Sequence, residues 1–202
     1  MENAKVKSKK AFNNQAATYD VDIKGQHART LYPTLVDKLS GLHYEKILDL
    51  GCGTGAVLKL ITDKNKNAQA YGLDISENML KQAEQKLNDK AMLSLGDAEH
   101  LPFDNDFFDV VYCNDSFHHY PSPKAALSEV QRVLKKNGTF VICDTWMSYI
   151  PRSIMNAFIR FSNEGDVLIY SKKDICGLLS LFFHDIEWQQ TVKNAFIASA
   201  IK

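Results

Sequence analysis

From Lys46 onward, short apolar runs alternate with segments whose apolar residues recur every three or four positions. The runs Lys46–Leu50, Gln69–Asp74, Ala91–Leu95, Phe108–Asn114 and Thr139–Asp144 are short and bounded by polar or glycine-rich stretches, and they read as strands. Ala56–Thr62, Glu77–Asn88 and Pro123–Lys136 carry the helical period. In the second helix Met79, Leu80, Ala83 and Leu87 share one face, and Ser76 can cap its first turn. In the third, Leu127, Val130 and Leu134 share a face; Ser122-Pro123 supplies a cap and a first-turn proline, and Asn137-Gly138 ends it. Strand–helix alternation predicts a parallel sheet covered on both faces.

The tail changes rhythm. Residues 171–181 read as a helix, with Ser171 and Asp174 at capping-box spacing. Two β-rich runs follow, Phe183–Val192 and Ala195–Ile201, joined by Lys193-Asn194, and predict an antiparallel hairpin added to the sheet. Residues 1–45 and 147–170 lie outside the alternation. They are expected to form lid segments, the first helical, because ligands of open α/β sheets bind beyond the carboxyl ends of the strands. The expected organisation is one domain over residues 1–202, with its cofactor core at 46–146 and the helix and hairpin at 171–202.

Composition narrows the class. The chain has 202 residues, 45% hydrophobic and 24% charged, which suits an ordinary globular domain. Lys and Arg number 24, as do Asp and Glu, so no basic excess points to nucleic acid. No apolar run approaches the ~20 residues of a membrane span, and MENAKVKSKKAF lacks the apolar stretch of a signal peptide. The four cysteines, at 52, 113, 143 and 176, form no C-x-x-C pair and read as buried thiols of a reducing, cytoplasmic compartment.

The candidate chemistry starts at KILDLGCGTG, residues 46–55. A strand that ends in a glycine loop and opens into a helix exposes bare backbone and unpaired N–H groups, a cradle for a nucleotide-type cofactor. Gly51-x-Gly53-x-x-Ala56, with Asp74 about 20 residues on, satisfies the dinucleotide fingerprint. That pattern alone does not separate NAD from another adenosine cofactor.

Further segments do. Asp49…Gly51-x-Gly53-x-Gly55, Gly72-Leu73-Asp74-Ile75-Ser76, Gly96-Asp97-Ala98-Glu99-His100-Leu101-Pro102-Phe103 and Val133–Gly138, in that order, resemble the class I S-adenosylmethionine-dependent methyltransferases. The resemblance runs from about residue 12 to the C-terminus. The entry segment Phe12…Ala17-Thr18-Tyr19-Asp20 and the stretch Asn114–Tyr120 look like the small-molecule, ubiquinone/menaquinone-biosynthesis-like branch. It implies a Rossmann-like, doubly wound α/β fold with seven strands in the order 3-2-1-4-5-7-6, one of them antiparallel. It also implies that S-adenosylmethionine is the cofactor. Gly51, Gly53 and Gly55 would let its methionine part approach the backbone, and Asp49 would organise the loop and the ammonium. Asp74 would accept from both ribose hydroxyls, and Asp97 from the adenine amino group beside Ala98. Tyr19 would be a lid residue, and Cys52, Ile75, Met79 and Asn114 complete the implied cofactor set.

Methyl transfer is an in-line displacement, so the protein mainly aligns the nucleophile and excludes water. The sequence shows no H-x-x-x-H and no clustered acids with ligand spacing, and no metal is expected. If the acceptor must lose a proton, His118 and His119 after the fourth strand are the candidate catalytic residues. Asn114-Asp115-Ser116-Phe117 departs from the Asn/Asp-Pro-Pro-aromatic signature of relatives that methylate amino groups of DNA bases or protein glutamine. A small-molecule acceptor is expected, with the protein a monomer or homodimer. His27 and Arg29 could reach an acidic acceptor or the cofactor carboxylate, or be solvated helix residues; Lys5, Lys7, Lys9 and Lys10 read as a frayed, solvated terminus. Ile150–Phe161 is read first as a helix packed on the sheet, with Met155 available to an apolar acceptor pocket. Two rivals stand beside this reading: an NAD(P)-dependent oxidoreductase, which shares the glycine loop, and a non-catalytic cofactor-binding domain.

Overall fold

In the expected α/β order, a seven-stranded sheet runs β3-β2-β1-β4-β5-β7-β6. The computed structural model describes residues 2–191 and 194–202. Its strands are β1 Lys46–Leu50, β2 Gln69–Asp74, β3 Ala91–Leu95, β4 Phe108–Asn114, β5 Leu134–Thr145, β6 His184–Gln190 and β7 Ala195–Ile201. The first five pair in parallel, and β7 is antiparallel to β5 and β6. Val192 and Lys193, which the expected hairpin included, lie outside the described residues.

Each central strand is buried on both sides because its apolar residues alternate between two cores. Ile47, Val110 and Tyr112 face one, where helices α2 (Gln26–Ser40), α3 (Ala56–Lys64) and α4 (Glu77–Leu87) pack; Leu48, Val111 and Cys113 face the other, under α5 (Pro123–Val133) and α7 (Lys172–Leu179). Ser76 caps α4 by accepting from the Met79 N–H at 3.1 Å, and Ser171 with Asp174 closes the capping box of α7.

Several expectations change. Helix α5 stops at Val133, three residues short of the predicted end, and β5 begins at once. Leu134 is fully buried and pairs with Phe108, so packing takes it from the helix into the sheet. Ser122 makes no side-chain cap; its N–H instead donates to Glu99 Oε1 at 2.9 Å.

The lysine-rich start is not a frayed end but helix α1, Glu2–Gln15. Lys5 and Lys9 anchor it on Asp97, Glu99 and Glu77. Both N-terminal helices border the cleft, α1 through Lys5, Ser8 and Phe12 and α2 through Ala28 and Tyr32. The stripe Leu31, Leu35, Val36 and Leu39 buries the rest of α2 in the sheet's core. Helix α6 (Tyr149–Phe158), continued by a 3-10 turn to Phe161, is not packed on the sheet: none of its residues is buried, and Ile150, Ile154 and Phe158 are exposed.

Candidate active site

The site forms where β1, β2 and β4 end side by side. The main chain beyond β1 turns through Gly51, Gly53 and Gly55, all at positive φ, and the Gly51 and Cys52 N–H groups donate to the Leu73 carbonyl of β2 at 2.8 and 3.0 Å. A Cβ on Gly53 would meet nothing within 4 Å, so the hollow of the loop is open. A Cβ on Gly55 would strike Leu87 Cδ1 at 2.9 Å and Ala83 Cβ at 3.0 Å. Gly55 therefore serves the contact of α3 with α4, a different task from the cofactor approach expected of it.

Asp49 ends up buried beneath this hollow. Its Oδ2 accepts from the Tyr112 hydroxyl at 2.8 Å, while Oδ1 is buried with no partner among the described residues. Burial raises its pKa to about 8; the Tyr112 hydrogen bond only partly offsets this, and Asp74 adds to it. Asp74 is buried too, and its carboxylate ties the loop together: Oδ2 accepts from the Gly53 N–H and Oδ1 from the Ser76 N–H, both at 2.8 Å.

Two compartments meet over the loop. Asp49, Gly51, Cys52, Gly53, Met79 and Asn114 line one, roofed by Tyr19. Ile75, Asp97 and Ala98 line the other, and Asp74, Gly51 and Phe12 border both. Apart from Gly55, the fold thus brings the expected cofactor residues to one cleft. The entry segment is clamped onto the loop by Asp20, which accepts from Thr54 Oγ1 and Lys86 Nζ, each at 2.6 Å. Arg29 belongs to that clamp and not to an acceptor site, since its guanidinium donates to the carbonyls of Tyr19 and Asp22.

A third cavity of about 230 Å³ adjoins the first two and shares Phe12 with both. Phe12, Met155, Ile159 and Ile169 give it an apolar side, and His27, Asp115, His118, His119 and Asp166 a polar one. His27 Nδ1 lies 2.8 Å from Asp115 Oδ2, and His118 Nδ1 lies 2.6 Å from Asp144 Oδ1. Burial disfavours a charge on His118, yet the carboxylates of Asp144, Asp115 and Asp166 outweigh it and raise its pKa to about 10. His119 shifts the other way, lowered by burial and by the neighbouring His118 charge.

Sequence reasoning missed the carboxylates that hold these histidines. Asp144 is the penultimate residue of β5 and Asp115 follows the last residue of β4, strand-end positions like those that singled out Asp49 and Asp74. Asp166 sits in an irregular segment and carries no such signal. Among the described residues no helix is long and apolar enough to cross a membrane.

A seven-stranded sheet in this order, with a glycine cradle after β1 and acids at successive strand tips, is the architecture of the Rossmann-like methyltransferases. Residues 48–142 match the family model described as a methyltransferase domain. A Bacillus velezensis protein named as an uncharacterized methyltransferase is 30% identical over 167 residues, covering 76% of this chain and 78% of that protein. The demethylmenaquinone methyltransferase of Thermotoga maritima is 36% identical over 110 residues, covering 54% of this chain and 48% of its own length. A Haemonchus contortus phosphoethanolamine N-methyltransferase solved with phosphomonomethylethanolamine and S-adenosylhomocysteine shares the fold: TM-score 0.72, 16% identity, 86% of this chain and 52% of that one. The chain spans 43%, 48% and 65% of the lengths of three curated relatives that it matches. The chain belongs to the S-adenosylmethionine-dependent methyltransferase family, and S-adenosylmethionine is the cofactor that membership gives it.

The residues present fit that cofactor. An orphaned carboxylate oxygen under an open glycine hollow calls for a cationic hydrogen-bond donor, and the α-ammonium of the methionine moiety is one.

Proposed function

We propose that the protein transfers a methyl group from S-adenosylmethionine to a small-molecule acceptor, releasing S-adenosylhomocysteine, and does so in the cytoplasm. The observation that carries this reading is the unpartnered Asp49 Oδ1 beneath the open loop. When bound, the cofactor supplies an activated methyl carbon on a sulfonium, so the chain's own task is alignment and exclusion of water. Asp49 and Asn114 would hold the amino-acid end and Gly51, Cys52 and Gly53 its path along the backbone. Asp74 would hold the ribose, and Ile75, Asp97 and Ala98 the adenine, with Met79 behind the loop. Tyr19 and Phe12 would close over the junction of the three cavities, keeping water from it.

The acceptor would enter the third cavity, with its apolar body against Met155, Ile159 and Ile169 and its polar group toward the histidines. His118, whose charged form the surrounding carboxylates favour, would donate to the acceptor, while burial and the His118 charge favour the neutral form of His119. The names of the relatives support an acceptor that is a ring bearing oxygen, as in a demethylated quinol.

The test is a screen of small hydroxylated aromatic acceptors for S-adenosylhomocysteine formation, with Asp74→Ala as control. Turnover that is saturable in acceptor and lost in the variant is expected; equal product from both proteins would overturn the assignment. Calorimetric titration with S-adenosylhomocysteine and with NAD separates the oxidoreductase reading, which requires NAD alone to bind.

A further inference from the structure

The histidine corner contains an arrangement that methyl transfer by itself does not require. His118 Nε2 and His119 Nδ1 lie 3.5 and 3.0 Å from the same oxygen, Asp166 Oδ1. One ligand atom from each of the three residues falls within 4.8 Å of the others. His119 Nδ1 is buried and, among the described residues, has no partner in aligned hydrogen-bond geometry, Asp166 Oδ1 at 3.0 Å included. A nitrogen and an oxygen this near, without an N–H aligned between them, are what two donors converging on a third point look like.

The spacings match a small ion. Tetrahedral bonds of ~2.0–2.1 Å to nitrogen and oxygen place neighbouring ligand atoms about 3.3 Å apart. The two separations, 3.0 and 3.5 Å, bracket that value.

The surroundings support the same geometry. Asp144 Oδ1 accepts a hydrogen bond from His118 Nδ1 at 2.6 Å, and its other oxygen accepts from the His118 backbone N–H at 3.1 Å. A carboxylate that fixes one ring nitrogen orients the other as a ligand, the usual outer support of a metal-binding histidine.

We propose that His118 Nε2, His119 Nδ1 and Asp166 Oδ1 form a binding site for a divalent transition metal, zinc by ligand type, with Asp144 positioning His118. Three protein ligands leave a coordination position free, as in sites that take a water or a substrate oxygen. All three residues line the third cavity, so that position is offered to whatever occupies it. On the methyl-transfer reading, which this last step rests on, the occupant is an acceptor hydroxyl, which the bound metal would hold in place and polarise.

The test omits both cofactor and acceptor, so its failure leaves methyl transfer untouched, and the failure of methyl transfer leaves it untouched. Chelator-treated protein is titrated with Co2+ and followed by visible absorption, then with Zn2+ against a competing chelator. One equivalent bound, with the intense visible bands of a low-coordinate Co2+ site, is expected. Asp166→Asn and His119→Gln should each weaken binding at least ~10-fold, and Asp144→Asn by ~10-fold. His184→Ala, at an exposed histidine on β6, should change nothing. In the wild-type chain Co2+ should broaden the ring resonances of His118 and His119 before those of His43 or His184, a readout that needs no variant to fold. Absence of saturable binding at one equivalent, affinities equal across the site variants, or broadening led by another histidine would overturn the site.

Discussion

Lys5 Nζ lies 2.6 Å from Asp97 Oδ2, and at the same distance from Glu99 Oε2. A cation on α1 thus occupies the carboxylate at the end of the cleft proposed to take the adenine, and cofactor entry there would require it to yield or share. Burial disfavours the Lys5 charge, but the two carboxylates outweigh this and raise its pKa. The pair is partly exposed and worth at most ~1 kcal/mol. Lys5→Ala is therefore expected to speed S-adenosylhomocysteine association by ~2–5-fold at low salt, and the difference should shrink as salt is added. Association kinetics at two ionic strengths check it; a slower on-rate in the variant would mean that Lys5 guides the ligand in.

Asp49 gives the cleft a proton to lose. With its pKa raised to about 8, it is largely protonated at pH 7 in the free protein. An ammonium beside it favours the carboxylate, so ligand binding should release up to one proton. Calorimetry at pH 7 in buffers of different ionisation heat should show a buffer-dependent enthalpy for the wild type and none for Asp49→Asn.

The same group sets a stability trend. The folded chain holds this proton more tightly than the unfolded chain, whose aspartate titrates near 3.8. That contribution is complete below the unfolded value and is lost as pH rises through about 8. Thermal unfolding of the ligand-free protein between pH 6 and 9 should show a midpoint that falls with pH, more steeply than in Asp49→Asn.

Two loop glycines should respond differently to alanine. At Gly55, φ is +73° and the added carbon meets Leu87 and Ala83, so Gly55→Ala should cost about 2–4 kcal/mol of stability. At Gly53, φ is +52° and nothing lies within 4 Å, so only the backbone strain of about 1–2 kcal/mol remains. The Gly53→Ala methyl would point into the hollow, and ligand affinity should drop ~10-fold or more. Denaturant unfolding with a parallel titration separates the two effects.

Helix α6 should be dispensable to the core. Ile154 and Phe158 are 56% and 64% exposed, so replacing both by serine should leave stability within about 1 kcal/mol. A rise in KM for an apolar acceptor, with kcat unchanged, is expected if this face guides the acceptor toward Met155 and the cavity.

Legibility in the sequence tracked the range of the interactions. The strands before β5, and helix α4 with its Ser76 cap, are set by apolar periodicity and by neighbours a few residues away, and they lie where the pattern put them. The end of α5 moved because Leu134 answers to Phe108, a residue 26 positions earlier. Local spacing carries no record of that pairing.

The amino-acid pattern alone determined a parallel sheet covered on both faces, a hairpin added to it and the gathering of Asp49, Asp74 and Asp97 at its tips, because strands that alternate with helices must end on the same side. Only the tertiary structure decided that Asp49 keeps a bare oxygen, that Lys5 reaches Asp97, that Gly55 spaces two helices, and that Asp166 meets His118 and His119 across 48 and 47 residues of chain. Those facts depend on which side chains the packing excludes from water and which it brings within a few ångströms.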